Sequence, residues 1–231
     1  MKILAIDTTA KTSTVAVTED EQLLALYTQQ AGLTHTQTVL PVIETILKNC
    51  DLSVGDIDAF ACSKGPGSFT GVRIGAAIIK GLAFGRERPC IGVSTLKALA
   101  MQFADFPCDG ALICPVMDAR RGQVYNALFS LKNGLITPLC DDRAIEINTL
   151  SRELADYDKP IYFTGDGYFL AQESISLPNV QKTPRILQQQ NAYAVALTAL
   201  EQIKSGLPYD NDITLLPSYL RASQAEQSKQ K

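Results

Sequence analysis

The stretch Ser63-Lys64-Gly65-Pro66-Gly67-Ser68-Phe69-Thr70-Gly71-Val72-Arg73-Ile74-Gly75 decides how the rest of the chain is read, together with the apolar run that follows it to Gly85. Gly65 and Gly67 around Pro66 predict a tight turn, because glycine enters positive φ without steric cost. Ser68 or Thr70 is placed to cap the free amides of a helix that starts there. Ile74, Ala76, Ala77, Ile78, Ile79, Leu82, Ala83 and Phe84 leave that helix almost no polar face. A helix apolar all round is expected to be buried on every side, here against its own core and against something else. At about 16 residues, with Arg73 and Lys80 in it, the segment is too short and too charged to span a membrane. Gly71 with Gly75, and Gly81 with Gly85, lie four apart and predict a bare stripe for a second backbone, by analogy with membrane helices. Arg73 and Lys80 share a face and are expected to ion-pair with a partner.

Upstream, residues 57–62 form a continuous apolar run of the kind found in strands buried on both faces. Residues 3–7 read as another, ending on Asp7; residues 15–17 return from the polar turn at 8–13, and residues 23–28 complete a three-strand meander. A helix follows with Thr34 or Thr38 as its cap and Val39, Leu40, Val42, Ile43, Ile46 and Leu47 as its apolar positions. Pro41 must lie in its first turn or kink it. Downstream, residues 89–93 read as a short strand, and Ser94 caps a helix carrying Leu96, Leu99, Ala100 and Phe103.

Beyond the linker at 106–110 the opening plan repeats. Residues 112–118 are an apolar strand ending on Asp118, residues 119–122 a polar turn, and residues 124–131 a return strand. Asn133-Gly134 makes a hairpin turn into residues 135–139. This internal duplication divides the chain into an N-terminal lobe (1–106), a degenerate C-terminal repeat (107–221) and a polar tail (222–231). Residues 149–154 read as helical, 161–167 as a strand running into a glycine turn, and 192–204 as an amphipathic helix stopped by Gly206.

With 231 residues, 46% hydrophobic and 19% charged, the chain can bury a sizeable core. Its net charge of -3 offers no basic footprint for nucleic acid, so any role near RNA depends on a partner's positive surface. Six cysteines without C-x-x-C spacing read as reduced core residues, and the N-terminus turns polar too soon for a signal peptide; the cytoplasm is the expected compartment. His35 is the only histidine, which leaves little for a histidine metal centre or a Ser-His-Asp triad; at a helix start it reads more simply as a surface or capping group. Asp7 and Asp118 occupy corresponding strand ends. They could hold a metal-bound phosphate or a water in a cleft, with Thr8 and Thr9 donating hydroxyls, or cap their own turn amides, the commoner arrangement. The glycine-rich turn matches neither a P-loop nor a dinucleotide fingerprint.

Several blocks together closely resemble the bacterial TsaB (formerly YeaZ) family: Ile3-Leu4-Ala5-Ile6-Asp7-Thr8, Thr34-His35-Thr36 before Leu40-Pro41, the glycine-rich block, Gly92-Val93-Ser94-Thr95-Leu96, Met117-Asp118-Ala119-Arg120 and Tyr219-Leu220-Arg221. The resemblance implies a duplicated actin-like, sugar-kinase-like (ASKHA) α/β fold of two lobes, each a mixed sheet flanked by helices. It also implies a role in making threonylcarbamoyl-adenosine next to the tRNA anticodon, as the non-catalytic partner of the paralogue TsaD, which it stabilises or regulates. TsaE is the associated ATPase, so ATP and magnesium would enter at the level of the complex. The catalytic paralogue binds its metal with an H-x-x-x-H pair; the comparable Ser94-Thr95-Leu96-Lys97-Ala98 has no histidine. In the family the N-terminal lobes pair through their first two helices. That pairing maps here onto His35, Thr36, Val39, Leu40 and Ile43 of one helix and Gly71, Val72, Arg73, Gly75, Ile78, Ile79 and Leu82 of the other. A homodimer through the same surface is expected when the chain is alone. The rival reading is an ATP-dependent phosphotransferase acting alone through Asp7 or Asp118; against it, Thr8-Thr9 stands where a phosphate hairpin usually has glycine.

Overall fold

In the computed structural model, which describes residues 1–31 and 35–221, the chain builds the same five-strand plan twice. The apolar strand β1 (Lys2–Asp7) pairs antiparallel with β2 (Ser13–Glu19), which pairs with β3 (Gln22–Gln29). After α1 (His35–Asn49) the chain returns as β4 (Ala59–Gly65), parallel to β1. Helix α2 (Phe69–Ala83) then leads to β5 (Cys90–Ser94), parallel to β4, and to α3 (Thr95–Met101). The sheet order is β3-β2-β1-β4-β5. In the second half, β6 (Leu112–Asp118) is flanked by β7 (Gln123–Asn126) and by β11 (Ile161–Thr164). With β10 (Arg143–Glu146) outside β7 and β12 (Val180–Gln181) outside β11, the order β10-β7-β6-β11-β12 repeats the first. Helices α4 (Ile147–Leu154), α5 (Tyr168–Ser174) and α6 (Ala192–Lys204) complete it.

The expected return strand over 124–131 is broken into β7 and β8 (Phe129–Lys132), and β8 carries β9 (Leu135–Pro138) to one side. Pro115, in the middle of β6, has no N–H for the ladder. The pairing with β7 covers 116–118, the pairing with β8 covers 112–113, and the chain steps across the gap. The buried Asn126 side chain fills it, its amide donating to Pro115 O at 2.9 Å and to Ala127 O at 3.0 Å.

Each half lends its last helix to the other. Helix α6 lies on the first sheet, where Val195, Ala196, Ala199 and Leu200 pack against Ile3, Ala5, Ala61 and Ile91. Helix α3 lies under the second, where Leu96, Leu99 and Phe103 pack against Ile113 and Phe129. The boundary read at 106/107 is therefore a boundary in sequence order and not in space. Helices α1 and α2 cover the opposite face of the first sheet through Val39, Ile43, Ala76 and Ile79. Pro41 sits well inside α1, past its first turn, and the expected Thr34 cap falls outside the described residues, as does the tail at 222–231.

Candidate docking face and interlobe cleft

Gly65 has φ 123°, as the tight turn requires, and Ser68 caps α2 by accepting from Gly71 N at 3.2 Å. The helix stops at Ala83, two residues short of the expected end, because Gly85 takes the left-handed conformation (φ 69°) of a helix stop. Its N-terminal half is knitted to the β1–β2 turn: Thr8 Oγ1 donates to Gly71 O at 2.7 Å, and Ser68 N donates to Thr9 O at 2.7 Å. A Cβ on Gly71 would overlap Thr8 O, and one on Gly75 would lie 2.8 Å from Thr8 Oγ1. The Gly71/Gly75 stripe is thus filled by the chain's own hairpin, which corrects the expectation that it was left bare for another helix. A Cβ on Gly81 would meet nothing within 4 Å among the described residues, so that position is open to them.

Asp7 closes the same knot. It is 2% exposed, and its carboxylate accepts from Thr9 N at 2.8 Å, from Thr9 Oγ1 at 2.7 Å and from Ser63 Oγ. Burial raises its pKa above the ordinary carboxylate value, against the pull of the Ser63 and Thr9 donors. Of the two roles weighed for Asp7, the structure shows the cap. Thr8 Oγ1, Thr9 N, Thr9 Oγ1 and the Asp7 carboxylate are thus all bonded within the chain, while Thr9, Ala10 and Lys11 of the same hairpin line the cleft. Asp118 also caps its turn, accepting from Arg120 N at 2.7 Å, and pairs with the Arg120 guanidinium at 3.1 Å. Unlike Asp7 it faces an interlobe cleft of about 1140 Å³, whose walls include Thr9, Lys11, Ser68, Met117, Asp118 and Asp166. Asp166 Oδ1 accepts from Asp118 N at 3.3 Å, and its carboxyl is pushed up to about 6, first by loss of water at the cleft wall and then by the Asp118 charge. In the sequence Asp166 stands within the Gly165-Asp166-Gly167 turn, a weak adenosine-loop candidate. Among the described residues no group of three or more His, Cys, Asp or Glu is arranged to hold a metal ion.

The residues expected at a partner surface separate into three sets. Thr36, Leu40 and Arg73 are exposed; His35, Ile78 and Leu82 are half-buried; Val39, Ile43, Gly71, Val72, Gly75 and Ile79 are buried within the chain. His35 Nε2 donates to Ala10 O at 2.8 Å, since a carbonyl can only accept, and so holds the β1–β2 turn. The exposed residues of α2 are Thr70, Arg73, Ala77 and Gly81, and Phe84, just past its end, is 74% exposed. The helix is therefore not buried all round.

Its two cations also make bonds within the chain. Lys80 Nζ donates to Ile213 O at 2.9 Å and to Leu215 O at 3.3 Å. Arg73 Nε donates to Tyr219 OH at 2.7 Å, and its guanidinium lies 3.8 Å from the Phe69 ring centre. Both contacts come from a strap, residues 208–221, that crosses the edge of β5 through paired Cys90 and Asp210 backbone bonds and runs along α2. Residues 217–221 read as ordered in the sequence, but the course of the strap does not follow from it, because its backbone and side-chain contacts reach residues far away in the chain.

A family model described as TsaD, tRNA N6-adenosine threonylcarbamoyltransferase, matches residues 27–229. The chain is 34% identical over 229 residues to the tRNA threonylcarbamoyladenosine biosynthesis protein TsaB of Bacillus subtilis (strain 168), covering 98% of this chain and 96% of that one. The chain belongs to the TsaB family. Among solved structures it is similar to YeaZ from Pseudomonas aeruginosa, with a TM-score of 0.81 and 25% identity over 95% of this chain and 99% of that one. A more distant likeness, to the Acidaminococcus fermentans (R)-2-hydroxyglutaryl-CoA dehydratase component A, has a TM-score of 0.51 at 12% identity over 89% of this chain and 98% of that one, and shows the fold alone. The fold is the duplicated actin-like, sugar-kinase-like one that the repeat and the resemblance implied. No helix of the described residues is long and apolar enough to cross a membrane.

Proposed function

We propose that this TsaB-family chain is the non-catalytic partner of a TsaD-type subunit in the transfer of a threonylcarbamoyl group to the adenosine next to the tRNA anticodon. The observation that carries this reading is the closed knot of Asp7, Thr8, Thr9 and Ser63. It holds Asp7 and the hydroxyls of Thr8, Thr9 and Ser63 in bonds within the chain, while α2 keeps an accessible face on which Arg73 stands beside Ala77, Gly81 and Phe84. That face (Arg73, Ala77, Gly81, Phe84), flanked by Thr36 and Leu40 of α1, is where the partner docks. Residues 1–106 carry the docking elements and 107–221 are a degenerate repeat. TsaE joins the complex and supplies its ATP and magnesium chemistry, tRNA is met only through the complex, and the isolated chain self-pairs through the same face. The compartment is the cytoplasm.

The test is co-elution with a TsaD-type subunit on gel filtration. Ala77→Arg and Gly81→Glu place bulk and charge on the face without touching the core, so both should abolish co-elution while leaving the melting temperature within about 3 °C of the parent, since exposed changes and the helix-propensity gain at Gly81 stay within about 1 kcal/mol. Undiminished co-elution would place docking elsewhere. Calorimetry with ATP on the isolated chain bears on the rival: saturable binding with hydrolysis would sink the non-catalytic reading.

A further inference from the structure

The strap does more than cross an edge; its last residues form a wall of the interlobe cleft. Space is kept for it by two glycines. A Cβ on Gly65 would overlap Ser218 O, and a Cβ on Gly92 would come 2.9 Å from Leu215 Cδ1, whose side chain is fully buried. The strap is anchored firmly up to Ser218, whose N–H donates to Lys64 O at 2.7 Å. The contacts described beyond that point run through side chains. Tyr219 stacks on Phe69 with ring centres 4.9 Å apart and accepts from Arg73. Arg221 then reaches across to the second half, donating from a guanidinium nitrogen to Ala119 O at 3.2 Å, in the turn after β6. Residues 218–221 all line the cleft.

We propose that residues 219–221 are a latch on the interlobe cleft, caught by Arg73 and Phe69 on one side and by Ala119 on the other, and that a partner seated on α2 holds the latch shut. The second clause rests on the docking reading above. The two are joined by one residue: Arg73 is both the exposed cation of the docking face and the catch for Tyr219. A body seated on α2 removes water from the Arg73–Tyr219 bond and strengthens it, since a hydrogen bond to a charged donor gains as the surroundings become less polar. Without that cover, opening requires only a rotation of the Tyr219 and Arg221 side chains, with no sheet bond broken. Such side-chain-held segments belong to the low-stability end of a structure.

The chain contains no tryptophan, so Tyr125→Trp, on the half-buried cleft wall, makes a single reporter whose quenching by neutral acrylamide reads access. In that background Tyr219→Ala and Arg221→Ala should each raise the quenching constant, by roughly threefold if the latch is the main barrier to local opening. Tyr219→Phe, which keeps the stack and loses the Arg73 bond, should fall between. If Tyr219→Ala melts the fold, Arg221→Ala carries the test, because it removes one rim bond and nothing from the core. Unchanged quenching in Arg221→Ala would overturn the latch. For the coupling, hydrogen exchange of the peptide covering 216–221 is compared in the free chain and in the gel-filtered complex with a TsaD-type subunit. Slower exchange in the complex is expected. A complex that forms with exchange unchanged overturns the coupling and leaves docking intact, whereas absence of a complex overturns both, the quenching result still deciding the latch.

Discussion

At the scale of single residues, Asp7 shows how a carboxylate can be conspicuous in a sequence and yet structural. Its raised pKa means that the folded chain binds its proton more tightly than the unfolded chain does. The stability linked to it is therefore present at low pH and is lost as pH rises from the ordinary carboxylate value through the raised one. Asp7→Asn keeps an acceptor for Thr9 and a donor for Ser63 and removes the buried charge. Urea melts at about pH 5 and about pH 8 should show the Asp7→Asn variant at least as stable as the parent at the higher pH, with the difference shrinking at the lower. Asp7→Ala leaves Thr9 N, Thr9 Oγ1 and Ser63 Oγ without their acceptor and should cost about 2–3 kcal/mol at either pH. A steeper loss for the asparagine variant than for the alanine one would mean that the negative charge itself is required. Asp166 titrates in the other setting: at a value of about 6 it changes charge in the cleft within the range of cellular pH, beside Asp118.

At the scale of elements, α2 separates what a pattern of small residues specifies from what it leaves open. Four glycines in one helical stretch predict a close approach, but not the identity of the approaching backbone. Gly71 and Gly75 meet the chain's own Thr8, and Gly81 meets none of the described residues within 4 Å. The same substitution should thus have opposite signs. Gly81→Ala gains about 0.5–1 kcal/mol from helix propensity alone. Gly71→Ala meets a backbone carbonyl that cannot swing away, and a loss of about 2–3 kcal/mol should outweigh that gain. Thermal melts of the two variants decide it; equal and positive shifts would show that the Thr8 turn yields. Much of the fold was legible from such local chemistry. Apolar runs ending on Asp7 and Asp118 located β1 and β6, Ser68 and Ser94 located two helix starts, and α6 was bounded correctly by Gly206 and its apolar period. The break between β7 and β8 was not, because it follows from Pro115 on the facing strand. The strap and the Arg73–Tyr219 bond were not either: their partners lie more than a hundred residues apart, and no local period encodes them.

At the scale of the molecule, the duplication visible in sequence and the division in space differ because α3 and α6 are exchanged. The site inherits this arrangement, since the cleft lies between halves that each depend on the other's last helix. Residues 1–106 expressed alone would present Ile3, Ala5, Ala61 and Ile91 to water, a face that α6 covers in the whole chain. That fragment should lack cooperative unfolding and should bind hydrophobic dyes, as compact states without fixed packing do. Addition of residues 107–231 in trans should restore a sigmoidal melt. A fragment that melts cooperatively alone, without dye binding, would show that the first sheet tolerates a bare face.

The exchange of helices also sets a schedule for synthesis. The last strand of the first sheet ends at Ser94, and the helix that seals its underside begins at Ala192. A ribosome adding about 5–20 residues per second needs roughly 5–20 s to cross that interval. During that time a nearly complete sheet waits on the nascent chain with an oily face uncovered. The interval is a window for chaperone binding, and codon choices that slow elongation between 95 and 191 lengthen it without altering a single contact in the finished protein.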